Sequence, residues 1–187
     1  MVNKVRACVF IYGRVSNLKS IIDSSRDYYF PIKIQLIISD NIKAKGLEFA
    51  KKYGIPFKFF TYDNKKKFER NALYEIKKRK IKFICLAGFM KILSNDFIKN
   101  FGHQIINIHP SLLPKFKGLN THKRVLRSRE KYSGCTVHFV TSRLDSGKII
   151  LQKRVLISKN ETETSLKKKI LRQEHKIYPQ SIISLFK

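Results

Sequence analysis

Strand-like apolar runs alternate with helix-like segments from one end of this chain to the other, and that alternation limits the possible folds more than any other feature of the sequence. A strand, an amphipathic segment and a second strand close most readily as a parallel pair with the helix packed on one face of the sheet. The chain therefore reads as α/β: a single Rossmann-like domain over 1–187, with a mostly parallel twisted sheet and helices on both faces. Its 187 residues suffice for one sizeable core and fall short of two.

Strands are expected over 5–12, 34–39, 57–61, 83–87, 105–108, 136–140 and 149–156, the last two forming a hairpin with Asp145 in its turn. Helices are expected over 17–25, 44–53, 64–80, 121–129 and 162–186, the last interrupted at Pro179, and another begins at the N-cap Ser94 and ends near Gly102. Gly54 closes the helix before it as a left-handed cap. The Lys-rich stretch 64–80 carries Phe68, Leu73 and Ile76 at helical spacing, so it is an amphipathic helix whose lysines face water.

No apolar run approaches the roughly 20 residues of a membrane-spanning helix, and no small-residue cleavage site follows the first strand, so a cytoplasmic protein without membrane association is expected. Cys8, Cys85 and Cys135 are odd in number and suit neither a zinc site nor a disulfide framework. A formal net charge of +27 raises the possibility of a nucleic-acid partner. Lysine is nevertheless spread through nearly every helix-like segment, and the chain is also rich in Ile, Asn and Phe, which argues for compositional drift and against such a partner. A basic surface would still attract small anionic ligands.

The chemistry concentrates in Asn107-Ile108-His109-Pro110-Ser111-Leu112-Leu113-Pro114 at the carboxyl end of a strand, where open α/β sheets bind ligands. Asn107 and His109 are two residues apart and share a strand face. Two polar groups projecting together can donate to one developing oxyanion, and Asp145 is a candidate to orient or charge the imidazole. The set suits acyl transfer without a Ser or Cys nucleophile; taken alone, His109 would also be read as a structural cap on a strand.

These segments resemble the glycinamide ribonucleotide formyltransferases (phosphoribosylglycinamide formyltransferases) of purine synthesis, folate-dependent members of the formyltransferase family. The resemblance is carried by 107–122, by Gly134-Cys135-Thr136-Val137-His138-Phe139-Val140 and by Leu144-Asp145-Ser146-Gly147 through Gln152. It extends to 86–93, to Ser16-Asn17-Leu18 and to 173–179, in the expected order along the chain. It implies the formyltransferase fold and transfer of formyl from 10-formyltetrahydrofolate, as co-substrate, to the amino group of glycinamide ribonucleotide through a tetrahedral intermediate, with no metal. Asn107, His109 and Asp145 would be catalytic. Val15, Ser16, Asn17 and Glu174 would bind the ribonucleotide, and Phe89, Met90, Lys91, Ile92, Leu93, Val140 and Leu144 the folate. His122 and His138 would support the site.

Two positions depart from that family's pattern. Val15 stands where a glycine is expected, with Arg14 before it, and Leu171 stands where a polar or basic phosphate contact is common. The methionyl-tRNA formyltransferases share the Asn, His and Asp but carry an additional C-terminal barrel, and the formyltetrahydrofolate hydrolases an N-terminal regulatory domain; these and a basic nucleic-acid-binding α/β module are the alternatives. Partners are expected to be small molecules, with the chain a monomer or homodimer.

Overall fold

The computed structural model describes residues 3–13 and 16–187. In chain order the elements are β1 (Val5–Ile11), α1 (Ser16–Ser25), β2 (Ile32–Ser39), α2 (Lys45–Lys52), β3 (Phe57–Phe59), α3 (Lys65–Lys78) and β4 (Phe83–Ala87). They continue as α4 (Asn95–Phe101), β5 (Gln104–His109), α5 (Thr121–Arg127), β6 (Tyr132–Phe139), β7 (Ile149–Leu156) and α6 (Glu163–Leu185). The strands form one seven-stranded sheet in the order β3-β2-β1-β4-β5-β6-β7. The first five run parallel, while β6 is antiparallel to both β5 and β7. The expected mostly parallel α/β sheet is what forms.

Strand alternation divides the interior into two cores. Ala7, Val9 and Ile11 of β1 and Phe83, Cys85 and Ala87 of β4 face a core shared with Leu18 and Ile21 of α1, Leu47 of α2 and Ile170, Ile177 and Tyr178 of α6. Cys8 and Phe10 of β1 and Ile84 and Leu86 of β4 face the other, with Phe68, Ala72 and Ile76 of α3 and Phe97 and Phe101 of α4. Strands buried on both faces are why these segments read as unbroken apolar runs. Each fully buried Phe or Ile stabilises the fold by about 1.5–3 kcal/mol relative to exposure.

Helix ends follow the local chemistry. Asn64 caps α3 by accepting from Lys67 N at 3.0 Å, and Ser94 caps α4 by accepting from Phe97 N at 3.0 Å. Gly54, at φ +64, adopts the expected left-handed conformation after α2. Among the described residues no helix is long and apolar enough to cross a membrane.

Two expectations required correction. β6 begins at Tyr132, not at 136, because Ser133-Gly134 hides a strand in a non-apolar pair. A Cβ at Gly134 would lie 2.0 Å from Lys153 O of β7, so a glycine is what this strand pair admits. The expected break at Pro179 is absent: α6 runs through it, and Pro179 is buried. Proline cannot donate to the carbonyl four residues earlier. Here that carbonyl, His175 O, accepts instead from the Ser20 hydroxyl of α1 at 2.8 Å.

Candidate active site

The site is built on β5 and β6. Ile106 and Ile108 point into the core beneath α1 and α6, so Asn107 and His109 point to the opposite face. The antiparallel register sets Asn107 across from His138 and His109 across from Thr136, which puts all four side chains on that face. The loops 110–120 and 140–148 fold onto it.

The Pro-rich loop is pinned from below. Thr136 Oγ1 donates to Ser111 O at 2.6 Å and accepts from Leu113 N at 3.1 Å and from Gln152 Nε2 at 2.8 Å. Gln152 Nε2 also reaches Leu113 O at 3.0 Å. The Leu113–Pro114 peptide is cis. The second loop is held by close packing: a Cβ at Gly147 would stand 1.7 Å from Phe139 O, so only glycine lets the chain pass there. Lys117 Nζ joins the loops by donating to Ser146 Oγ at 2.6 Å.

Four side chains form a connected set between the loops. Asp145 Oδ2 accepts from Gly118 N at 2.8 Å and lies 3.3 Å from His109 Nδ1. Asp145 Oδ1 lies 3.7 Å from His138 Nε2, which is 3.4 Å from Asn107 Nδ2. His109 Nε2 faces Phe116 O at 2.9 Å. His109, His138 and Asp145 are all buried.

Hydrogen-bond complementarity assigns the protons. Both ring nitrogens of His109 face oxygen atoms, Nδ1 that of Asp145 and Nε2 that of Phe116. Nδ1 of His138 faces Phe139 O at 2.8 Å and so carries a proton. Its Nε2 is then free to accept from the Asn107 amide. Burial lowers the His138 pKa from its ordinary value; the Phe139 carbonyl and Asp145 oppose this, while His109 and Lys117 add to it. The pair thus comprises one imidazole that carries its proton on Nδ1 and accepts at Nε2, and one whose two nitrogens both face oxygens, with Asp145 between them.

The expected ribonucleotide residues meet across a helix pair. Ser16 and Asn17 open α1, and Asn17 Nδ2 donates to Glu174 Oε2 of α6 at 2.7 Å. Asn17 Oδ1 is buried and has no hydrogen-bond partner among the described residues. Val15 and Arg14 lie outside the described residues. Leu171, one turn before Glu174, is half-buried, and Lys168 and Arg172 on the same helix are exposed.

The expected folate wall divides in two. Phe89 and Leu93 belong to the core beneath α3 and α4, with the Phe89 ring 5.4 Å from Phe10 and 5.8 Å from Phe68. Met90, Lys91 and Ile92 are exposed, and Lys91 Nζ lies 5.1 Å from the Tyr62 ring. Val140 packs half-buried against the same core, and Leu144 is exposed beside Gly118. Leu86 pairs with Asn107, so the 88–93 turn leaves the sheet next to the catalytic set. His122 is half-buried in the first turn of α5.

Residue type and spacing could not single out Thr136, Gln152, Phe116 O or Gly118 N. The two side chains work through a register, and the other two groups are backbone atoms. Among the described residues no group of three or more His, Cys, Asp or Glu is placed to hold a metal ion.

A family model of formyl transferases matches residues 5–182. The trifunctional purine biosynthetic protein adenosine-3 of Homo sapiens is 38% identical over 182 residues, covering 96% of this chain and 18% of that protein. The chain thus spans less than a fifth of that relative. The phosphoribosylglycinamide formyltransferase of Escherichia coli (strain K12) is 37% identical over 181 residues, covering 95% of this chain and 85% of the relative. Among solved structures, the phosphoribosylglycinamide formyltransferase of Brucella melitensis superposes with a TM-score of 0.92 at 37% identity, over 98% of this chain and 96% of that one.

Proposed function

The chain belongs to the formyl transferase family, and from that premise we propose that it transfers the formyl group of 10-formyltetrahydrofolate to the amino group of glycinamide ribonucleotide, a step of purine synthesis. The observation that supports this most is the connected set of Asn107, His138, Asp145 and His109 on one face of β5 and β6.

The substrate amine attacks the formyl carbon, and negative charge grows on the formyl oxygen. Preorganised donors aimed at that oxygen lower the barrier because they need no reorganisation in a site shielded from water. Asn107 supplies an amide N–H, held in place by His138. His109 supplies Nε2–H, which would exchange the Phe116 carbonyl for the formyl oxygen when substrate arrives. Asp145 orients the imidazole and stabilises positive charge that develops on it. As the new C–N bond forms and the bond from carbon to the folate nitrogen breaks, the amine loses a proton and the folate nitrogen gains one. Asp145 and the imidazole are placed to assist that transfer through water.

Glu174 suits ribose hydroxyls, since a carboxylate can accept two such donors. The α1 N-terminus, opened by Ser16, presents free N–H groups to a phosphate. Met90, Lys91 and Ile92, exposed beside the catalytic set, together with Val140 and Leu144, would meet the folate, with Phe89 and Leu93 forming its floor.

The test is a transfer assay with both substrates, followed by folate absorbance, on the wild type and on His109→Ala and Asp145→Asn. Turnover by the wild type and its loss in both variants is expected. Near wild-type turnover in both folded variants would overturn the assignment.

A further inference from the structure

Both glutamates of α3 turn inward, and every charged side chain on the outer face they leave is basic. Glu69 is 6% exposed and accepts from Ser94 N at 2.7 Å and from Ser94 Oγ at 2.6 Å. Glu75 is 8% exposed and is held by Arg79 and, at 3.8 Å, by Lys58. Outside, Lys66, Arg70, Tyr74 and Lys78 succeed one another at four-residue intervals, all exposed, with Lys77 alongside. Residues four apart on a helix are neighbours on its surface. Tyr74 therefore stands between two cations, with 63% of its surface open to solvent.

An even spread of lysine along the sequence argued against a nucleic-acid partner. That argument concerned the spread of bases along the chain and not where the acids lie, and on α3 the acids leave the surface to the bases. We propose that the outer face of α3 binds single-stranded nucleic acid without sequence preference. At a rise of about 1.5 Å per residue, the line from Lys66 to Lys78 is about 18 Å long. At about 3.4 Å per phosphate, that length matches about five phosphates of one stacked strand. Lys66, Arg70, Lys77 and Lys78 neutralise phosphates, and the Tyr74 ring takes a base on its face. Such stacking tolerates every base because each has a π-face, and it needs a strand whose bases are not already paired.

The test is binding of the full chain to a fluorescent oligo(dT) of about 15 nucleotides as salt is varied, a length within the usual span of single-strand sites. Each neutralised phosphate contributes about 0.7 to the slope of log affinity against log salt on single strands, so the four cations should give a slope of about −2.8. Arg70→Gln/Lys77→Gln/Lys78→Gln should lower that slope by about 2. Tyr74→Ala should weaken oligo(dT) binding about tenfold with the slope unchanged, and should leave binding to heparin, which has charge but no bases, as it was. Circular dichroism of both variants should match the wild type, since all four side chains are exposed. The proposal is overturned if the triple variant keeps the wild-type slope, or if Tyr74→Ala leaves oligo(dT) binding unchanged or weakens heparin equally. Binding to anionic vesicles but not to oligo(dT) would also overturn it, assigning the face to a membrane surface.

Discussion

Asn107 Nδ2 stands 3.4 Å from His138 Nε2 because β5 and β6 pair antiparallel with these two residues directly opposite. Proton assignment makes His138 the acceptor, so a residue far along the sequence from Asn107 aims its amide. His138→Ala should then lower kcat about tenfold or more, on the scale of losses from removing a group that orients a functional side chain. Michaelis constants should move little. Unchanged kcat in a folded variant would show that Asn107 needs no such partner.

Asp145→Asn keeps an oxygen for Gly118 N but removes the negative charge beside His109. A loss of about 10²–10⁴ in kcat is expected, the usual range for general acid–base and charge-balancing groups. The pH–rate profile should change shape as well as height. A variant that kept the wild-type profile would assign Asp145 a purely structural place.

Glu174→Gln and Asn17→Ala alter the proposed ribonucleotide site and not the proposed catalytic set. Removing binding that is equal in the ground and transition states raises the Michaelis constant and spares kcat. Both variants should raise the constant for the ribonucleotide and leave that for the folate unchanged. An equal rise in both constants would argue against a ribonucleotide site at this helix pair.

Ser20→Ala should destabilise the fold by about 1 kcal/mol, because it strands the part-buried carbonyl of His175. Pro179→Ala in the same background restores an N–H that can bond that carbonyl. In denaturant unfolding, the double variant should therefore lose less than the sum of the single losses. Strict additivity would sever the link between Ser20 and the proline.

His138 and His175 both have their pKa lowered, chiefly by burial, with Lys19 adding to the effect at His175. The unfolded chain accepts these protons near the ordinary value of 6.5, while the folded chain resists them. Stability should be constant above that pH and should fall as pH drops below it, until the folded state is also protonated. His175→Gln should flatten part of that slope in urea titrations at successive pH values. An unchanged slope would mean that His175 does not contribute to it.

Much of this was readable before folding. The apolar runs marked every strand of the sheet in outline, most plainly β1 and β4, which are buried on both faces and contain little else. Gly54 and Ser94 announced helix ends through chemistry local to each. Asn107 and His109 were placed on one face by two-residue alternation alone. The misses share a cause. Tyr132 to Cys135 of β6 pair with β7 through a glycine that no propensity favours in a strand, and Pro179 persists in α6 only because a hydroxyl from another helix serves its orphaned carbonyl.

By itself the sequence determined the α/β class and the polar trio Asn107, His109 and Asp145. Those depend on local periodicity and residue type, which are properties of a segment. Tertiary structure alone decided how His138 contacts the trio, that backbone groups at Phe116 and Gly118 hold its ring and carboxylate, that Phe89 and Leu93 sink into the core while Met90 and Ile92 stay out, and that the acids of α3 face inward. Each of these depends on which strand lies beside which, and in what register. A shift of one residue between β5 and β6 would send every one of their side chains to the other face without changing the composition.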